Sequence, residues 1–355
     1  MLGWLLILVP VAASVHWLMP EAHTLIFGSA ALAIIPLAGW MGRATEALAA
    51  RAGEGVGGLL NATFGNAAEL VIALAALRHG LYDVVKASIA GSIIGNVLLV
   101  LGAAMLTGGL RFHSQQYNIT AARSQATMLL IAAISLVVAG AFRDVVEPGA
   151  PQLIGLSLAI AAVLLAVYVC NLVFSLVTHR RLFEGSGEAP ATSGHEASAW
   201  SAKKGLAVLG LATLAVAWMS EILVAAIEPA AKDLGLGSLF VGVFVVAIIG
   251  NAAEHSTAIF AALRNRMDLS LSIAIGSSVQ IALFVAPVLV LVSLAVGPAP
   301  MDLSLRPGLT LCVLLSVLIA APVAGDGESN WLKGVALLAV YLILALAFLA
   351  VPGIS

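Results

Sequence analysis

Two glutamates give the first chemical suggestion in this chain. Each ends the same word, GNAAE, at Gly65 to Glu69 and again at Gly250 to Glu254, and each lies inside a long apolar run. An ionised carboxylate at the middle of a membrane helix costs about 2.5–3.5 kcal/mol on insertion scales, so a repeated one is a candidate for binding. Asn66 and Asn251 stand three residues before the glutamates, which on a continuous helix puts amide and carboxylate on one face. In the next apolar runs Ser92 and Asn96 are four apart, and Ser277 and Gln280 are three apart. They add hydroxyl and amide oxygens on one face each.

The collected set is rich in oxygen and free of sulfur. Hard divalent cations take about six to eight oxygen ligands, and two carboxylates balance a +2 charge without leaving net charge buried. Ca²⁺ fits this inventory better than Zn²⁺ or Cu⁺, which favour His and Cys; Mn²⁺ meets the same ligand type. When the ion leaves, two neighbouring carboxylates repel each other and lose solvation, so protons can replace the metal. The expected cation ligands are Glu69, Glu254, Asn66, Asn251, Ser92, Asn96, Ser277 and Gln280. Proton coupling is expected at Glu69, Glu254 and His255. His255 follows Glu254 where the first copy has Leu70, and it either accepts protons, steers the carboxylate or is simply packed. Glu46, Glu221 and Glu228 line an ion entrance or mark solvated helix ends.

The elements that must position these residues are membrane helices. Of 355 residues 61% are hydrophobic and only 10% charged, against about 25% charged in soluble domains. The net charge of −2 suggests no polyanionic partner, and nucleic acid is not expected. Apolar runs of about 18 or more residues read near 2–19, 24–40, 56–77, 84–107, 121–141, 151–178, 204–227, 237–263, 268–297, 305–323 and 331–351. These are eleven spans of an all-α polytopic membrane protein. Cys170 and Cys312 lie within apolar runs and read as buried small hydrophobes, with no disulfide framework.

The offset between the GNAAE copies is 185 residues, and it also maps Gly91 and Ser92 onto Gly276 and Ser277. Two motifs repeating in register mark homologous halves. The expected organisation is a first helix at 1–20, a five-helix repeat at 21–178, a flexible link at 179–203 and a second five-helix repeat at 204–355. An odd number of crossings per repeat makes the repeats inverted, an architecture of secondary transporters. The link is rich in Gly, Ser, Ala and Glu. Eleven of the sixteen Lys and Arg residues fall on the side of the N-terminus, which places that terminus in the cytoplasm and the C-terminus outside. The short loops suit a prokaryotic plasma membrane, and the reading leaves room for a homo-oligomer in the lipid bilayer.

Four segments carry a family resemblance: GGLLNATFGNAAELVIALAAL at Gly57 to Leu77, GSIIGNVLLVLG from Gly91, VVAIIGNAAEHSTAI at Val245 to Ile259 and GSSVQIALFVAP from Gly276. They resemble the calcium/proton exchanger family within the cation/Ca²⁺ exchanger superfamily. The resemblance implies an eleven-helix fold with a peripheral first helix, antiport of Ca²⁺ against H⁺ with no cofactor, and cation binding at Glu69 and Glu254. The supporting polar positions match Asn66, Asn251, Ser92, Asn96, Ser277 and Gln280, and His255 matches the family's Glu-His pair. The link departs from the often acidic pattern, with only Glu184, Glu188 and Glu196. A Na⁺/Ca²⁺ exchanger or a monovalent cation/H⁺ antiporter on the same fold is the nearest alternative, and a cation channel is a further one. The spans contain no HExxH, GxSxG or paired Asp motif, so no enzyme is expected.

Overall fold

In hydrocarbon every backbone N–H and C=O must find its partner within the protein, so apolar runs of this length close into helices. The computed structural model describes residues 2–143, 145–146, 150–182 and 200–350. Among these, nine helices are long and apolar enough to cross a membrane, and the pair Val241–Gly250 and Ala252–Leu263, bent by 66°, makes a tenth if taken as one span. The apolar segment Gly3–Leu18 is shorter. Its first turns, Leu2–Ile7, are 3₁₀, and Pro10 lies in the first α-helical turn, where no N–H is needed. The expected central link falls largely outside the described residues, as do Glu184, Glu188 and Glu196.

The helices used below are α1 (Leu8–Leu18), α2 (His23–Ala52), α3 (Glu54–Phe64), α4 (Ala67–Arg78), α5 (Tyr82–Ile94), α6 (Leu101–Phe112), α7 (Ile119–Arg143) and α8 (Pro151–Val173). They continue with α9 (Ala202–Asp233), α10 (Ala247–Gly250), α11 (Ala252–Leu263), α12 (Met267–Gln280), α13 (Ala286–Val292), α14 (Pro307–Gly325) and α15 (Trp331–Ala350). By contacts the chain divides into two units that both draw on early and late sequence. Unit 1 draws on Met1–Val85, Pro190–Ala253 and Leu349–Ser355, and unit 2 on Lys86–Ala189 and Glu254–Phe348.

Unit 1 is built on α2 against α9. Ala30, Ala33, Leu37, Met41, Ala44 and Ala47 form a buried stripe on α2, and Gly205, Leu209, Ala212, Val216 and Met219 form one on α9. Small side chains let membrane helices pack closely. A Cβ at Gly205 would already lie 3.1 Å from Leu48. The start of α9 is pinned to α2: Trp200 stacks on Trp40 at 5.7 Å, and its carbonyl accepts from Arg51 Nε at 2.6 Å. α4 packs on α9, and α10 touches α2 and α4.

In unit 2, α7 lies against α12 and α14, while α13 packs on α8. The structure is nearly, but not wholly, helical. Strands β1 (Ser114–Gln116) and β2 (Glu328–Asn330) pair antiparallel, with Gln115 opposite Ser329. The all-α expectation missed them because each is three polar residues long, too short for any hydrophobic period. α6 and α15 cross on glycines. A Cβ at Gly334 would strike the Leu106 amide nitrogen and the Gly102 carbonyl, and one at Gly109 the Trp331 backbone. Cys170 and Cys312 are free thiols, but Cys170 is exposed rather than buried. It lies on α8, where neighbouring Val163, Val169 and Val173 are exposed as well, an apolar surface suited to lipid.

The segment between α13 and α14 folds back onto unit 2. Met301 N donates to Ser293 Oγ at 2.8 Å, and Leu303 N to Ser157 Oγ at 3.0 Å. Lys86 Nζ meets Asp302 Oδ1 at 2.7 Å, with the two side chains 11% and 15% exposed. Burial pushes the Asp302 carboxyl up, but the Lys86 ammonium and the Ser304 hydroxyl and amide outweigh it and hold the group below its usual range.

This packing sets how substitutions should act on stability. Gly334→Ala should lower the thermal unfolding temperature in detergent, since forcing a methyl into backbone costs about 1–3 kcal/mol. Gly210→Ala, where nothing lies within 4 Å, should be neutral or stabilising by about 0.5–1 kcal/mol. Asp302→Asn should destabilise by about 3 kcal/mol, the lower end for breaking a buried pair, and more than Lys86→Met with Asp302→Leu together. The folded-state carboxyl is depressed, so the clasp's contribution is present above the unfolded Asp pKa and disappears as pH falls through the folded value. Unfolding scans from neutral to acid pH should therefore bring parent and Asp302→Asn together at the acid end.

Candidate cation site

Both GNAAE motifs sit where a helix is interrupted. α3 ends at Phe64, Gly65 and Asn66 form a turn, and α4 begins at Ala67. In the second copy α10 ends at Gly250, Asn251 stands at the bend and α11 begins at Ala252. A continuous helix is expected through each motif; Val56–Arg78 keeps membrane length as one helix with a two-residue turn in it, whereas the second copy is bent by 66°. The structure instead puts Asn66 at the N-cap of α4 and Asn251 at the C-cap of α10. Gly-Asn explains the break, because neither residue favours a helix interior. The Asn66 carbonyl receives the first α4 bond, from Leu70 N at 3.0 Å. Asn251 Nδ2 donates back to the Ala247 carbonyl at 2.9 Å, the same oxygen that accepts the Asn251 backbone N–H at 3.2 Å.

The interruption changes what surrounds the glutamates. Glu69 and Glu254 fall in the first turns of α4 and α11. There the first-turn N–H groups carry the positive end of the helix dipole, which favours a carboxylate. The ends of α3 and α10 leave carbonyl oxygens, the complementary pole. A broken helix thus offers amide hydrogens to an anion and carbonyl oxygens to a cation at one level.

The next helices change hydrogen-bond pattern at the polar residues. Ser92 lies in α5, while Asn96 lies in a π-helical segment, Gly95–Val100. Gln280 closes α12, and a π segment Ile281–Val285 follows it. Short π segments within α-helices frequently mark functional positions. The two copies place theirs at nearly the repeat offset.

Within unit 1, Glu69 and Asn66 are buried. Glu69 also meets the other motif: a Cβ at Gly250 would lie 3.3 Å from Glu69 Cγ and 3.7 Å from Oε1, so the glycine makes room for this carboxylate. Asn251 is fully buried in the same unit. Within unit 2, the Ser277 hydroxyl donates to Glu254, and Glu254 Oε2 is buried without a hydrogen-bond partner among the described residues. His255 Nε2 lies 3.1 Å from Asn96 Oδ1. Ser92 is buried, and Gln280 is half-buried.

Among the described residues, no three His, Cys, Asp or Glu side chains gather closely enough to hold a metal ion. A cation here must draw on neutral oxygens beside its carboxylates. Glu221 is not an open entrance ligand: its carboxylate is held by Arg78 Nη1 at 2.9 Å and His79 Nε2 at 2.8 Å. One polar neighbour was missed. Gln125 Nε2 on α7 would lie 3.7 Å from a Cβ at Gly276, and no motif in α7 announces it.

The sodium/calcium exchanger protein family matches residues 22–177 and 204–350. The Ca²⁺/H⁺ antiporter of Synechocystis is 45% identical over 98% of this chain and 96% of its own length. The Ca²⁺/H⁺ antiporter ChaA of Bacillus subtilis is 43% identical over 95% of this chain and 94% of its own. The solved structure of native YfkE superposes with a TM-score of 0.84 at 38% identity, covering 99% of this chain and 100% of that one. With the motifs, the breaks and the chain-long likeness in agreement, the chain belongs to the sodium/calcium exchanger protein family.

Proposed function

We propose that this chain is a secondary antiporter that exchanges Ca²⁺ for H⁺ across a membrane, with Glu69 and Glu254 binding the ion or protons in competition. The observation that carries this reading is the duplicated helix break, each copy holding one glutamate in the first turn after it. The named activity of the Synechocystis and Bacillus relatives supports the choice of ions. The chain is a transporter rather than an enzyme.

Two carboxylates neutralise one Ca²⁺, and two protons neutralise the same pair when the ion is gone. A doubly occupied apolar interior would carry excess positive charge and an empty one excess negative charge. Both are costly in a low dielectric, which couples the two fluxes. Ser277 orients Glu254; Asn66, Asn251, Ser92, Asn96 and Gln280 supply neutral oxygens, and His255 stands beside Glu254. Around this chemistry, residues 21–178 and 204–355 form two inverted five-helix repeats. Gly3–Leu18 serves as a peripheral eleventh span, and residues 179–203 as a cytoplasmic link. The N-terminus lies in the cytoplasm of a prokaryotic cell and the C-terminus outside.

In sealed proteoliposomes, an imposed pH gradient should drive Ca²⁺ uptake, and a Na⁺ gradient should not. Glu69→Gln and Glu254→Gln should each reduce uptake to the protein-free background, and uptake that survives either change sinks the proposal. Acidifying the Ca²⁺-binding side should raise the KM for Ca²⁺, because protons compete for the same oxygens. A KM independent of pH would rule out direct competition.

A further inference from the structure

The hydrogen bond between His255 and Asn96 has no counterpart in the other half of the chain. The 185-residue offset carries His255 to Leu70 and Asn96 to Ile281, both apolar. One half keeps a polar pair where the other has two hydrocarbons. The pair also tethers the turn that bears Glu254 to the π segment that bears Asn96.

Asn96 is 1% exposed, and the two ends of its amide have unequal partners. Oδ1 faces His255 Nε2 at 3.1 Å, whereas Nδ2 is buried with no acceptor among the described residues. In this orientation His255 donates from Nε2 and two amide hydrogens of Asn96 are stranded. An –NH₂ group aimed into a buried space repels a cation. The reversed amide removes part of that deficit: Nδ2 donates to Nε2 of the tautomer protonated at Nδ1. Oδ1 then occupies the buried position, where a carbonyl oxygen without a donor suits a cation.

We infer that His255 is a positioning residue: by accepting a hydrogen bond from Asn96 Nδ2 at its Nε2, it turns Asn96 Oδ1 toward the transported cation. With the proton at Nε2 instead, the amide reverses and that oxygen is withdrawn. The choice between two neutral tautomers thus decides whether Asn96 is a ligand. This rests on the Ca²⁺/H⁺ reading above, and it gives the histidine a task distinct from carrying the exchanged proton.

The test compares the KM for Ca²⁺ in pH-driven uptake by the full chain carrying His255→Leu, Asn96→Asp or both. An ionised Asp presents oxygen at both ends and needs no orienting partner. His255→Leu should raise KM about 10–100-fold in the Asn96 background, the range for losing an orienting partner. In the N96D background the same change should move KM by no more than about twofold. An equal rise in both backgrounds, as for a packing role, or a fall in kcat alone, as for a proton carrier, overturns the inference. If N96D does not yield monodisperse protein, His255→Gln and His255→Lys decide. The Gln oxygen accepts from Asn96 and should keep KM near the parent, whereas Lys only donates and should raise it; equal losses overturn the inference. A parent chain with no pH-driven uptake would defeat the functional reading instead. Calorimetric Ca²⁺ titration of the same purified chains would then still read the orientation effect.

Discussion

Inside hydrocarbon an unpaired peptide group has no water to turn to, so breaking a helix there is among the most costly things a membrane protein can do. This chain interrupts an apolar helix twice, with a two-residue turn at Gly65–Asn66 inside Val56–Arg78 and with a 66° bend at Asn251. Most of what surrounds the candidate site follows from that constraint. Glu69 and Glu254 both fall in the first turn of a helix, where the dipole favours a carboxylate. The Asn251 amide turns back to the Ala247 carbonyl, which also accepts the Asn251 backbone N–H. Gly250 has no side chain, and Glu69 uses the space. Remove the interruptions and the carboxylates would lie on unbroken apolar helices without a helix N-terminus beside them.

Much of the site was legible in the sequence, for a specific reason. Carboxylates are so rare in apolar spans that Glu69 and Glu254 stand out without any structural help, and the repeated GNAAE removes chance. The break itself was harder to read, because Gly65, Asn66 and Asn251 lie in runs whose hydropathy is continuous. Hydropathy reports medium, not direction. The Gly-Asn signals were present, but the same letters also fitted a ligand on a smooth helix. The partnership of His255 with Asn96 spans 159 residues and has no copy to reveal it, so no periodicity pointed there.

The fold was legible in its spans and less so at their margins. The first run looked long enough to cross, yet it divides into a 3₁₀ start and a short α-helix around Pro10. The run 268–297 extends five residues past the helix end at Val292, because Leu294, Ala295 and Val296 are apolar. Beyond it Met301, Leu303 and Leu305 are buried against unit 2 without belonging to a helix. The two strands were invisible, since pairing of three polar residues depends on a partner more than two hundred residues away. Cys170 shows the same limit from the other side: an apolar neighbourhood in sequence means lipid as readily as core.

The clasp between Lys86 and Asp302 joins residues 216 positions apart, and that distance is also a delay. At about 5–20 residues per second, synthesis of the intervening chain takes roughly 10–40 s. During that interval α5 is already made, with Asp83 three residues before Lys86 and the Asp302 carboxylate not yet synthesised. The long lysine stem allows the charge to reach toward the lipid headgroups in the meantime. The ion pair that ties the finished protein together also sets an order for its assembly.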